Sequence, residues 1–158
     1  LTAQSVWRHV KRHAKHRRGI EAQYAVNWPA AVLALKTLVS FPVLLPQQPP
    51  PYTSDVRMYA IVEEQRPDYY SIDLAATPDC NGAHVCSFAH VIGSKKPLPL
   101  GYVPSICAAY CNDATLTWKQ GSAYYEITLK AGALKELRGM QRSMRALEAS
   151  PRHRGGNV

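Results

Sequence analysis

Four cysteines fall in two tight clusters, Cys80/Cys86 and Cys107/Cys111, within a stretch that otherwise reads as one hairpin after another. An even number of cysteines at short local spacing in a β-rich host suits two disulfides formed in an oxidising compartment. The expected pairing is Cys80–Cys86, around a turn, and Cys107–Cys111, around three residues. The crossed pairings stay open, because four cysteines allow three connectivities. Bridges over such short loops stabilise by about 2 kcal/mol each, so their main effect is to stiffen loop tips. Four thiolates also satisfy a tetrahedral zinc ion, which makes a structural zinc protein an alternative. The gaps of five and three residues, however, differ from the two-residue knuckles most zinc sites use. The same gaps lack the Cys-x-x-Cys spacing of a thioredoxin-like redox motif.

With 158 residues the chain has the length of one domain. Its net charge of +8 suggests a polyanion, but the distribution of charge weakens that reading. Between Asp55 and Lys130 eight acidic residues face six basic ones, so this middle is near neutral. The excess sits at the ends, in Arg8, Lys11, Arg12, Lys15, Arg17 and Arg18 and again in Lys135, Arg138, Arg142, Arg145, Arg152 and Arg154. Residues 1–30 are therefore expected to be a basic disordered segment, 31–149 a single α+β domain and 150–158 a basic tail. Polyanion or anionic-lipid binding through these termini is a second alternative. The most apolar stretch, Ala30 to Leu45, is broken by Lys36 and Pro42 and is too short for a transmembrane helix. No small-residue cleavage site follows it, so an export signal is not evident.

Val32, Leu35, Leu38 and Val39 recur at helical spacing, and Pro42 ends that helix. Met58–Val62 and Tyr69–Leu74 have strand composition and predict a hairpin turning through residues 63–68. Tyr70, Ile72 and Leu74 alternate with Ser71 and Asp73, which predicts one buried and one wet face, as in an antiparallel sheet covered on one side. Asn81-Gly82 suits a hairpin turn. Further strands are expected over about 84–92 and 101–106, then in a hairpin with Leu116 and Trp118 inward on one arm, and Tyr125, Ile127 and Leu129 inward on the other. Leu134, Leu137, Met140, Met144 and Leu147 predict a closing amphipathic helix over about 133–147. The fold class is α+β: a twisted antiparallel meander of five to six strands with an N-terminal and a C-terminal helix on one face.

Candidate chemistry is sparse. His84 and His90 lie near the first cysteine cluster, where they read as partly exposed strand or turn histidines rather than metal ligands. Glu63-Glu64 and Asp113 are carboxylates that nothing in the sequence brings together for acid–base work. Ser71, Ser87 and Ser143 lack a nucleophile-elbow context. The expectation is a protein that is not an enzyme and holds no cofactor and no metal. Tyr59, Tyr69, Tyr110 and Tyr124 fall opposite the inward set and form a candidate binding surface.

Several segments together carry a resemblance. They are Pro42-Val43-Leu44-Leu45-Pro46, Tyr70-Ser71-Ile72-Asp73-Leu74, Asp79-Cys80-Asn81-Gly82-Ala83 and Cys107-Ala108-Ala109-Tyr110-Cys111, followed by Trp118, Tyr125-Glu126-Ile127 and the Leu137–Met144 helix. In this order the chain resembles uncharacterised bacterial extracytoplasmic domains, secreted or lipoprotein-like. More distantly it is similar to the domain of unknown function found outside the membrane on anti-sigma-factor-like proteins. The resemblance covers residues 32 to 146 and implies a periplasmic or secreted location. It brings no catalytic residues. The functional expectation is a non-catalytic extracytoplasmic sensing or binding module meeting a protein, an envelope component or a small ligand.

Overall fold

A computed structural model of the chain describes residues 30–47, 58–81, 85–106 and 112–147. Along them run helix α1 (Ala30–Leu38), strands β1 (Leu44–Pro46), β2 (Tyr59–Arg66), β3 (Tyr69–Ala75), β4 (Ser87–Ser94), β5 (Gly101–Val103), β6 (Asp113–Gln120) and β7 (Ala123–Lys130), helix α2 (Leu134–Ser143) and strand β8 (Met144–Ala146). The class is α+β. Six strands form one antiparallel sheet in the order β2-β3-β4-β7-β6-β5, and β1 pairs with β8 in a second, two-stranded sheet. The meander thus comes as two runs of three strands, β2–β3–β4 and β5–β6–β7, joined where β4 lies beside β7.

Period-two alternation builds the core face of the large sheet. Val62, Ile72, Val91, Ile127 and Leu116 line up across five strands, and Leu74, Ala89, Leu129 and Ala114 form the next row. Val32 and Leu35 of α1 and Leu137 and Met140 of α2 close over these rows in a single hydrophobic cluster. A third row runs Tyr70–Gly93–Tyr125–Trp118. Gly93 is required there, because a Cβ would overlap the rings of Tyr70 and Phe41. Phe41 rests against both tyrosines, with centroids 5.8 Å from Tyr70 and 6.2 Å from Tyr125.

Three local expectations are corrected. The first hairpin turns on Pro67-Asp68 alone, since β2 continues to Arg66. Ser40 stabilises that turn by donating its hydroxyl to the Pro67 carbonyl at 2.6 Å. Ser71 and Asp73 are buried, Asp73 completely, although they point away from the helices. The last helix stops at Ser143 rather than near Leu147, and Met144–Ala146 form β8. The cause is competition for backbone partners. The Ser143 hydroxyl donates back to the Met140 carbonyl at 2.7 Å, and the Ser143 carbonyl and hydroxyl both accept from the Gln47 amide at 3.2 Å. The Leu147 amide donates to the Val43 carbonyl at 2.8 Å. The buried β1 segment thereby draws the chain out of the helix and into a ladder.

Candidate functional site

The helices lie on one face of the large sheet, and the opposite face carries the polar chemistry. Tyr59 stands across from Ala75 on this outer face, while Tyr69, Ser94, Tyr124 and Lys119 follow one another across four strands. Three of the four tyrosines picked from the sequence therefore share a face. Tyr110 lies outside the described residues, as do His84, Cys107 and Cys111, so the second bridge does too. Arg66 sits 5.0 Å from the Tyr69 ring centroid and Lys119 5.4 Å from that of Tyr124, so these two outer tyrosines each carry a cation. Burial, followed by the charge of Glu64, pushes the Tyr69 hydroxyl above its usual pKa.

The first expected bridge is present. Cys80 and Cys86 are disulfide-bonded, with α-carbons 5.9 Å apart. The bond takes both sulfurs out of any zinc thiolate set, which removes the four-cysteine zinc site as long as the bridge is closed. The Ala76 amide donates to the Cys86 carbonyl at 2.8 Å, so the bridge lies within the loop that joins β3 to β4, just before Ser87.

Two irregularities in this hairpin region assemble a cluster that spacing did not reveal. The β2–β3 register jumps between Val62 and Glu64, leaving Glu63 unmatched, and the β3–β4 register passes from Ala89 to Ser87, leaving Phe88 unmatched. Such bulges re-aim side chains. Here they bring Glu63 and Ser87 to the patch where Asp73 and His90 stand opposite each other. Ser87 Oγ donates to Asp73 Oδ1 at 2.6 Å and lies 3.1 Å from His90 Nε2. On the other side of the ring, His90 Nδ1 is 3.3 Å from Glu63 Oε2. His90 Nε2 is also 3.8 Å from Asp73 Oδ1.

The connectivity Ser–Nε2, Nδ1–carboxylate superficially suits a nucleophile and its base. The direction of the bonds does not. The one hydroxyl hydrogen of Ser87 goes to Asp73, so toward His90 its oxygen is an acceptor, the reverse of what a histidine base withdrawing that hydrogen requires. The arrangement instead keeps a buried carboxylate in hydrogen-bonded company and ties β2, β3 and β4 together across their outer face. Asp73 Oδ2 remains without a hydrogen-bond partner among the described residues. Asp113 is not part of the cluster. It begins β6, opposite Lys130, and is separated from β2 by three strands.

Sequence reasoning missed Glu63, Asp73, Ser87 and His90 as a group because their meeting depends on two unmatched residues that leave no compositional mark. The adjacency of Cys86 and Ser87 was the one available signal that Ser87 is held in a fixed place. Among the described residues, no helix is long and apolar enough to cross a membrane. Compared with family models, curated proteins and solved structures, the chain matches none.

Proposed function

We propose that the chain is a non-catalytic extracytoplasmic binding module, periplasmic or secreted, that meets a protein, an envelope component or a small ligand on the outer face of its six-stranded sheet. The observation that carries this reading is the segregation of the two faces. The helices and the β1–β8 ladder bury the inner rows, whereas Tyr59, Tyr69 and Tyr124 stand half-buried on the other side beside Arg66 and Lys119. Aromatic rings with neighbouring cations are over-represented at recognition surfaces. The Cys80–Cys86 bridge supports an oxidising compartment. The resemblance to extracytoplasmic bacterial domains points the same way.

Site-specific photo-crosslinking in the cell envelope tests it. A photoreactive residue at Tyr69 or Tyr124 is expected to trap a discrete species, and one at Thr37, exposed on α1, is not. Equal trapping from both faces, or none from the sheet, contradicts the proposal. Association that disappears in high salt and on removal of residues 1–30 and 151–158 would instead favour the polyanion reading through the basic ends.

A further inference from the structure

The four side chains of the outer-face cluster make more polar contacts than their ordinary hydrogens can fill. Glu63 Oε2 meets His90 Nδ1 at 3.3 Å, His90 Nε2 meets Ser87 Oγ at 3.1 Å, and Ser87 Oγ meets Asp73 Oδ1 at 2.6 Å. Each of these contacts needs a hydrogen between its two atoms. Ionised carboxylates bring none, the serine hydroxyl brings one and a neutral imidazole brings one. The chain of contacts is therefore one hydrogen short. With the imidazole hydrogen on Nε2, the lone pair of Nδ1 points at the Glu63 carboxylate. With that hydrogen on Nδ1, the lone pair of Nε2 points at a serine oxygen whose hydrogen is given to Asp73. Turning the Ser87 hydroxyl to the ring strips Asp73 of this donor, although the residue is fully buried and its Oδ2 is already unpartnered among the described residues.

We propose that the cluster is a proton-binding latch: one added proton, which makes His90 an imidazolium, fills every contact, and its loss frees Glu63 and with it the side-chain tie to β2. The burial of Asp73 points the same way. A buried carboxylate needs a positive partner, and the ion-pair contact that Asp73 makes among the described residues is with His90 Nε2, at 3.8 Å. Exposure decides which contact yields. Glu63 is 33% exposed and can exchange the ring for water, whereas Asp73 is sealed. β2 stands at one end of the sheet order and skips a pairing at Glu63, so the side chain supplies the tie that the backbone ladder omits there.

No other charge competes for the ring within the sheet. Glu63 faces it from β2 and Asp73 from β3, while Thr128, opposite it on β7, is uncharged and lies 3.2 Å from Thr115, hydroxyl to hydroxyl. On either side of Thr128, Glu126 accepts from the Thr117 hydroxyl at 3.0 Å and the Lys130 ammonium lies 6.0 Å from the Phe88 ring centroid. The helices pack on the opposite face. The closed cluster thus holds a proton that the unfolded chain binds less tightly. Its contribution to stability is complete at the acidic end and is lost as pH rises.

Urea unfolding of the full chain across about pH 5 to 8, where histidine changes charge, tests the latch when wild type is compared with Glu63→Gln. The substituted amide can donate to Nδ1 itself, so a neutral ring then fills every contact and no added proton is needed. Titration of the remaining histidines cancels in the comparison. The folded-to-unfolded ratio of wild type, relative to that of the variant, is expected to fall about two- to fivefold as pH rises, the size of a partly exposed ion pair. A relative stability that stays level or increases overturns the proposal. Nitrogen NMR of the His90 ring, assigned through bonds in the wild-type chain, gives a second measurement that needs no variant. At about pH 7 both ring nitrogens are expected to carry hydrogen, and a ring with one bare nitrogen at that pH overturns the proposal. In Glu63→Gln, Nε2 alone is expected to carry one.

Discussion

The Tyr70 hydroxyl holds the backbone of Leu44 from both sides, accepting from its amide and donating to its carbonyl, each at 3.0 Å. All of these groups are buried. One side chain of the large sheet thus satisfies the β1 backbone much as a strand neighbour would, and the small β1–β8 sheet is anchored to the large one through a phenol. Replacing Tyr70 with Phe keeps the ring and strands both polar groups of Leu44. The expected loss is about 2–4 kcal/mol, read as a lowered urea midpoint at unchanged slope. A loss below about 0.5 kcal/mol would mean that the clamp is not holding β1.

Gly93→Ala tests the same corner from the opposite strand. The new methyl overlaps the rings of Tyr70 and Phe41, which are both buried and stacked on each other. We expect about 1–3 kcal/mol of destabilisation by overpacking, and a changed near-ultraviolet circular dichroism from the displaced aromatics.

Alkali addresses the buried phenols. Burial raises the pKa of Tyr70 and Tyr125 above the usual tyrosine value, and at Tyr70 the hydrogen bond with Leu44 only partly offsets it. The folded state holds the protonated form more tightly than the unfolded chain does. This contribution is therefore complete below about pH 10, the ordinary tyrosine value, and is lost as pH climbs toward the raised folded values. Stability should fall with rising pH above about 10, and absorbance at 295 nm should show Tyr70 ionising only together with unfolding. In Tyr70→Phe the fall should be shallower.

The polar cluster should divide into a strong half and a weak half. Asp73 is fully buried, and Ser87→Ala removes a hydrogen-bond donor to it, which should cost about 1–3 kcal/mol. Glu63 and His90 are partly exposed at 33% and 27%, so Glu63→Gln should cost at most about 1 kcal/mol and less in high salt. Equal costs for the two variants would contradict this division. A larger cost for Glu63→Gln would show that the tie to the edge strand carries the cluster.

Much of the fold was legible because its signals are periodic. Alternation placed Tyr70, Ile72, Leu74, Leu116, Tyr125, Ile127 and Leu129 on the buried face, and helical spacing found α1 and the start of α2. Spacing also found the Cys80–Cys86 bridge. What escaped was set by non-local pairing. Asp73 alternates like a solvent-facing residue, yet Ser87 and His90 from the next strand enclose it. Met144 continues a helical stripe, yet the backbone of β1, about a hundred residues earlier in the chain, offers it a ladder and ends the helix. The two bulges come from how strands meet, so neither Glu63 nor Phe88 announced one.

The Cys80–Cys86 bridge locks the loop end of the β3–β4 hairpin beside the polar cluster, and the proposed oxidising compartment rests on it. Mass spectrometry of the native protein, alkylated and digested without reductant, tests it most directly. The account predicts a cross-linked peptide pair joining Cys80 to Cys86 and no alkyl label on either sulfur. Full labelling of both cysteines in protein taken from its own compartment would contradict it.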